Sequence, residues 1–153
     1  MLMRVRWIVL SLLLVLADCD SHHVVGNVEQ AKSERAVDSF SRIEIQGNFA
    51  VHFKQASQRS VQVVADSNII PIVLTSVKNG GLVLSTKSGV HFTTKNPITV
   101  NVSGPTLLDL TSSGSNVVTV SGLKAKGLSV FFNGSGEGQF SGEVNQVNYK
   151  VVG

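Results

Sequence analysis

The sequence has little from which to build a covalent, aromatic or ionic framework. Of its 153 residues only one, Cys19, is a cysteine, so no disulfide can close within the chain. Aromatic residues make up 6%, and the single tryptophan, Trp7, falls in the N-terminal apolar stretch. Charged residues make up 15% and are scattered singly, for a formal net charge of +3. No basic run is interleaved with aromatics, which excludes a nucleic-acid-binding surface. No helical periodicity is sustained beyond the N-terminal region, which excludes a helical bundle. After Ala17 no apolar run is long enough for a membrane-spanning helix.

What is abundant suits strands and tight turns. Glycine occurs 14 times, and Val, Ile, Ser, Thr and Asn are frequent.

The N-terminus reads as an export signal. Arg4 and Arg6 precede an uncharged, mostly apolar run from Trp7 to Ala17, short for a membrane span and matched to a secretory signal. Leu16-Ala17-Asp18-Cys19 resembles a bacterial lipoprotein signal, with Cys19 as the lipidated first residue of the mature chain. Asp18 departs from that pattern, which usually has Gly, Ala or Ser before the cysteine. The competing reading is ordinary cleavage after Ala17, leaving Cys19 as a free thiol. Loss of Arg4, Arg6 and Asp18 would lower the net charge from +3 to +2. The organisation expected is a signal peptide over 1–18, a flexible tether over 19–38 with a short helical turn around Glu29 to Arg35, and a folded domain over 39–153.

From Phe40 the alternation is clear. Ile43, Ile45, Phe49, Val51 and Phe53 share one phase, and Glu44, Gln46, Asn48, His52 and Lys54 the other. A period of two sends the first set into a core and the second into water. Short strands follow around Val61–Ala65, around Ile70–Leu74 (weakened by Pro71), on either side of Asn79-Gly80, and at Val90–Phe92 and Ile98–Val102. Asn79-Gly80 is a hairpin signal.

The C-terminal part nearly repeats itself. Leu108-Asp109-Leu110, Ser113-Gly114-Ser115 and Val120-Ser121-Gly122 return about 20 positions later as Leu128-Ser129-Val130, Asn133-Gly134-Ser135 and Phe140-Ser141-Gly142. A third copy begins at Val147-Asn148-Tyr149 and stops at Gly153. A constant offset with small residues at corresponding corners predicts an all-β, parallel β-helix-like coil of about 20 residues per rung. Its last rung is cut short. In that coil Leu110 lies over Val130 and Val120 over Phe140, all four buried.

The stretch Glu34-Arg35-Ala36-Val37-Asp38-Ser39-Phe40-Ser41-Arg42-Ile43-Glu44-Ile45-Gln46-Gly47 resembles the opening of the head GIN domain, found in bacterial envelope proteins labelled auto-transporter adhesins. Val51-His52-Phe53-Lys54-Gln55, Val61-Gln62-Val63 with Asp66-Ser67-Asn68, Gly81-Leu82-Val83-Leu84 and the Ser-Gly-Ser rungs match its later elements in order. The resemblance covers about residues 34 to 153. It implies a right-handed β-helical fold behind an export signal, often on a lipoprotein, with no enzyme activity and no agreed ligand.

Chemistry-bearing residues are sparse. In the repeats, Asp109 corresponds to Ser129, Glu137 to Val117 and Glu143 to Leu123, so these acids do not stack into the pair that glycoside hydrolysis needs or the cluster that calcium needs. They read as solvated surface acids. His22-His23 is a weak metal signal without further ligands nearby, and His52 and His91 are expected to point outward. Asn133-Gly134-Ser135-Gly136-Glu137-Gly138 is followed by a strand, not by the helix that a phosphate loop needs. Neither cofactor nor metal is expected. Phe131, between inward Val130 and Phe132, should face out and is the best single ligand-contact candidate.

The reading that results is a non-enzymatic, exported cell-envelope domain, anchored to a membrane through lipid at Cys19, with an adhesin-like or scaffold role. Its expected partner is a surface glycan or protein. The alternatives are a polysaccharide-acting envelope enzyme and a periplasmic sensor or partner-binding subunit. Residues Val147–Gly153 end in a strand with Lys150 as its only charge, so the expectation is either a truncated member of its family or edge-to-edge pairing there with a second copy or a partner.

Overall fold

The computed structural model describes residues 23–153. The expected signal peptide, Cys19 and His22 lie outside the described residues. The described residues form twelve strands: β1 (His23–Val25), β2 (Gln30–Glu34), β3 (Arg42–Gly47), β4 (Ala50–Gln55), β5 (Ser60–Asp66), β6 (Val73–Lys78), β7 (Gly81–Thr86), β8 (His91–Thr93), β9 (Thr99–Gly104), β10 (Asp109–Gly114), β11 (Val117–Asn133) and β12 (Glu137–Val152). Among the described residues the only helical element is a 3-10 turn at Ile70–Ile72, and no helix is long and apolar enough to cross a membrane.

Ten strands form one curled sheet, while β1 and β8 form a separate parallel pair. Two parallel flanks make up the middle of the sheet. On one, β7, β3 and β10 lie side by side and continue onto the second half of β11. On the other, β9, β4 and the first half of β11 do the same. β11 therefore joins the flanks, and β12 follows it along both. Each flank ends antiparallel, one in β6 on β7, the other in β5 on β9 with β2 on β5.

The inward phase read from the sequence is the core. Ile43, Ile45, Phe49, Val51 and Phe53 are all buried, as are Leu110, Val120 and Val130. Burying each such side chain favours folding by about 1.5–3 kcal/mol. Corners between the flanks need glycine. Gly47, Gly114 and Gly134 stack there with positive φ of 146°, 107° and 114°.

Five expectations are corrected. First, the chain is all-β, but it is not throughout a parallel coil of constant rungs. Asp109 pairs with Ser129, Leu110 with Val130, Val117 with Glu137 and Val120 with Phe140, all at the expected offset. Beyond these repeats, β3 sits between β7 and β10, and the sheet finishes in antiparallel strands. Asn79 and Gly80, with φ of 49° and 74°, make the mirror-image turn that folds β7 back on β6, a connection that parallel rungs cannot use. Second, the ladder slips after Val120, so Leu123 pairs with Gly142, and Glu143 stands beside Lys124 instead of Leu123.

Third, Gln30–Glu34 is a strand paired with β5, not a helical turn, and His23–Val25 is also paired. β2 alternates between half-buried and exposed residues without an apolar face, which hid it from a pattern search. Fourth, Ile70–Ile72 is a 3-10 turn because Pro71 lacks an N–H and fixes φ near the helical value. The strand starts at Val73, so Val73 is buried and Leu74 exposed. Fifth, Phe140 is 39% exposed. It packs over Val120 from β12, which among the described residues has a neighbour on one side only.

Candidate functional site

Alternate residues of each strand leave the core and face outward. On the β7–β3–β10 flank the register sets Arg42 beside Gly81 and Asp109, and Glu44 beside Val83 and Thr111. Thr111 is in turn beside Phe131, and Phe131 beside Lys150. At the usual strand spacing, Glu44 and Phe131 are about 10 Å apart across this face.

Two adjoining hollows open on this outer face. One, of 440 Å³, is lined by Arg42, Glu44, Lys78, Asn79, Asp109 and Thr111 among others. The second, of 620 Å³, adds Gln46, Leu74, Ser76 and Ser85. They share Glu44, Lys78 and Val83, so they make one groove. Its charges balance, with Arg42 and Lys78 against Glu44 and Asp109. Each carboxylate is held by a neutral donor two residues along its own strand. Gln46 Nε2 donates to Glu44 Oε1 at 2.5 Å, and Thr111 Oγ1 donates to Asp109 Oδ1 at 3.4 Å. Arg42 donates to the carbonyl of Asn79 and ties the hairpin to the groove. A charge-balanced groove with donors, acceptors and a Val83 floor suits a neutral, hydroxyl-rich ligand better than an ion.

Of the residues singled out in the sequence, Phe131 lies on this same face. It is half-buried, and Lys150 Nζ is 5.7 Å from its ring centroid, a cation–π contact that covers part of the ring. His52 and His91 are exposed. His91 pairs in register with His23, yet no group of three His, Cys, Asp or Glu residues forms a metal cluster among the described residues. Glu44, Lys78 and Arg42 were missed as site residues. Within the repeats Asp109 has no acidic counterpart, whereas across the sheet its neighbour is Arg42 of β3, 67 positions away. The one sequence signal that would have found this was Gly47, the corner equivalent of Gly114.

A second polar centre is structural. Asp66 is fully buried at the end of β5 and accepts hydrogen bonds from Asn96 Nδ2 at 2.7 Å and Thr94 Oγ1 at 2.8 Å. The Asn96 amide, aided by Thr94 and the Val28 N–H, holds its pKa below the usual carboxylate value against the opposing effect of burial. This carboxylate fastens the loops around Val28 and Thr94 to the sheet.

The family described as "Putative auto-transporter adhesin, head GIN domain" matches residues 39–153, the whole stretch from Ser39 through the open groove to β12. The chain belongs to the head GIN domain family. Its sheet is shared by solved structures of low identity. A putative adhesin of Parabacteroides merdae ATCC 43184 is 22% identical with a TM-score of 0.76, over 85% of this chain and 55% of that one. A putative adhesin of Bacteroides fragilis NCTC 9343 is 18% identical with a TM-score of 0.76, over 85% and 62%. A putative lipid binding protein of Parabacteroides distasonis ATCC 8503 is 16% identical with a TM-score of 0.61, over 84% and 62%. The head GIN chain thus spans between 55% and 62% of the length of these three proteins. None of the curated proteins is similar to it.

Proposed function

We propose that this head GIN domain is a non-enzymatic attachment module of the bacterial cell envelope, exported and held at a membrane by lipid on Cys19. It binds a neutral surface glycan in the groove across β6, β7, β3 and β10. The observation that carries this reading is the convergence of Arg42, Glu44, Lys78, Asp109 and Thr111 on one open face of a rigid sheet. Family membership agrees with it. Fixed polar groups on strands need little ordering on binding, which suits weak, repeated contacts with a polymer.

Because Glu44 and Asp109 share one hollow, hydrolysis of a bound polysaccharide is the second reading. One experiment separates the two. The full chain is screened against envelope polysaccharides for binding and for release of reducing ends. Attachment predicts binding without release, weakened about tenfold by Lys78→Ala, since each lost hydrogen bond to a ligand is worth roughly 1 kcal/mol or more. Reducing-end release abolished by Glu44→Gln or Asp109→Asn would establish the enzyme instead. Binding that is indifferent to every groove variant would remove the groove from the function.

A further inference from the structure

The separate β1–β8 pair holds two imidazoles side by side. His23 and His91 open the two strands as parallel register partners, followed by Val24 with Phe92 and Val25 with Thr93. Register partners share a face, and successive residues alternate between faces. Val24 and Phe92 pack against the core. His23, His91, Val25 and Thr93 therefore form the opposite face, and all four are exposed. Neither histidine lines the groove.

The backbone beneath the pair is fixed through both strands. The Gly26 N–H donates to the Thr93 carbonyl at 2.7 Å, and Asn68 Nδ2 donates to the Val25 carbonyl at 2.7 Å. One residue past β8, Thr94 Oγ1 donates to the buried Asp66 carboxylate at 2.8 Å. These bonds hold β1 in register on β8, so the two imidazoles stay neighbours. The His23 ring has a partner of its own, with Nε2 hydrogen-bonded to Thr93 Oγ1 at 3.3 Å. That bond draws the ring over β8, the strand that carries His91.

We propose that His23 and His91 form a two-imidazole site for a late divalent transition metal, tightest for Cu(II) and weaker for Ni(II) and Zn(II). Neighbouring strands lie about 4.8 Å apart. Two nitrogens on one metal lie roughly 3 Å apart, given metal–nitrogen bonds of about 2.0–2.1 Å. Exposed imidazoles on adjacent strands close that difference by turning about their side-chain bonds. Imidazole suits these metals, and Cu(II) heads their affinity order. A ligating imidazole ordinarily gives its other ring N–H to an oxygen, which fixes the ring. Here Nε2–H of His23 donates to Thr93, and Nδ1 takes the metal. Water fills the remaining positions, since no third His, Cys, Asp or Glu completes a cluster among the described residues. The bound ion bridges β1 to β8 and opposes their separation.

Calorimetric titration of the full chain carrying Cys19→Ser, which removes its one thiol, tests this at about pH 8, where imidazole is neutral. One Cu(II) per chain should bind, more tightly than Ni(II) or Zn(II). His91→Ala should weaken Cu(II) binding about tenfold or more, and Thr93→Val several-fold. His22→Ala should change it less than about twofold. His91 is exposed, so His91→Ala should leave the melting of the metal-free protein unchanged. Saturating Zn(II) should slow amide exchange across His23–Gly26 and His91–Thr93, and should fail to do so in His91→Ala. A chain that binds no Cu(II) at millimolar concentration overturns the proposal, as does binding indifferent to His91→Ala. So does binding abolished by His22→Ala, since the adjacent histidines of the tether would then be the ligands.

Discussion

The side-chain oxygen of Asn116 accepts the backbone N–H of Phe49 at 2.9 Å, linking two corners 67 residues apart. The same side chain donates to Ser112 Oγ and to the Ser113 carbonyl, both at 3.0 Å, and is fully buried. One amide thus holds the turn before β11 to the turn before β4. Asn116→Ala leaves the Phe49 N–H without its side-chain partner, and should cost about 1–3 kcal/mol in a denaturant melt.

The corner glycines separate clash from strain. A β-carbon at Gly114 would sit 2.2 Å from the Gly47 carbonyl oxygen, at φ +107°. Gly122 also has positive φ, +66°, but nothing within 4 Å. Gly122→Ala should cost about 1–2 kcal/mol, the left-handed penalty alone. Gly114→Ala should cost roughly 3 kcal/mol or more, since backbone cannot move aside as a side chain can. Equal melting shifts would deny the close stacking of Gly47 on Gly114.

The rung register can be checked with a pair of neighbours. Val130 is buried between Leu110 and Tyr149, while Ser129 faces outward between Asp109 and Asn148. Val130→Asp should destabilise by several kcal/mol, about 3 or more. Ser129→Asp should cost under about 1 kcal/mol, with a small penalty from nearby Asp109.

Asp66 gives the fold an acid limit. Its folded pKa lies below its reference value of 3.8, so the folded state favours the charged form. The stability it contributes is full above the unfolded pKa and is lost as pH falls through the folded pKa. Thermal melts should therefore decline below about pH 4, and Asp66→Asn should be less stable at neutral pH with a shallower acid decline. An acid decline of the same depth in both proteins would assign the effect to other carboxylates.

Anchoring turns on Cys19. If it carries lipid, Cys19→Ser releases the protein from membranes and abolishes incorporation of a fatty-acid analogue. Unlabelled wild type with unchanged fractionation would point to cleavage after Ala17.

Much of this architecture was legible in local pattern. The period of two from Ile43 to Phe53 defines one inward phase whatever lies opposite, because successive strand residues point to opposite faces. The offset between Asp109 and Ser129, or Val117 and Glu137, was readable because like residues stack best on like when one rung lies on the next. Membership of the head GIN family was likewise carried by the order of motifs from Ser39 onward.

Only the tertiary structure decided which distant strands adjoin. β3 pairs with β10 and β7, and β4 with β11 and β9, and no local rule chooses among strands of equal polarity. That choice brings Glu44 and Lys78 to Asp109 and Thr111, and so makes the groove. It also decides that β2, lacking an apolar face, is held by β5, and that Phe140 is left half open on an edge. Alternation specifies a face for each residue, whereas a site needs neighbours. Neighbours are set by the global balance of buried area, turn geometry and backbone pairing, which no short window of sequence contains.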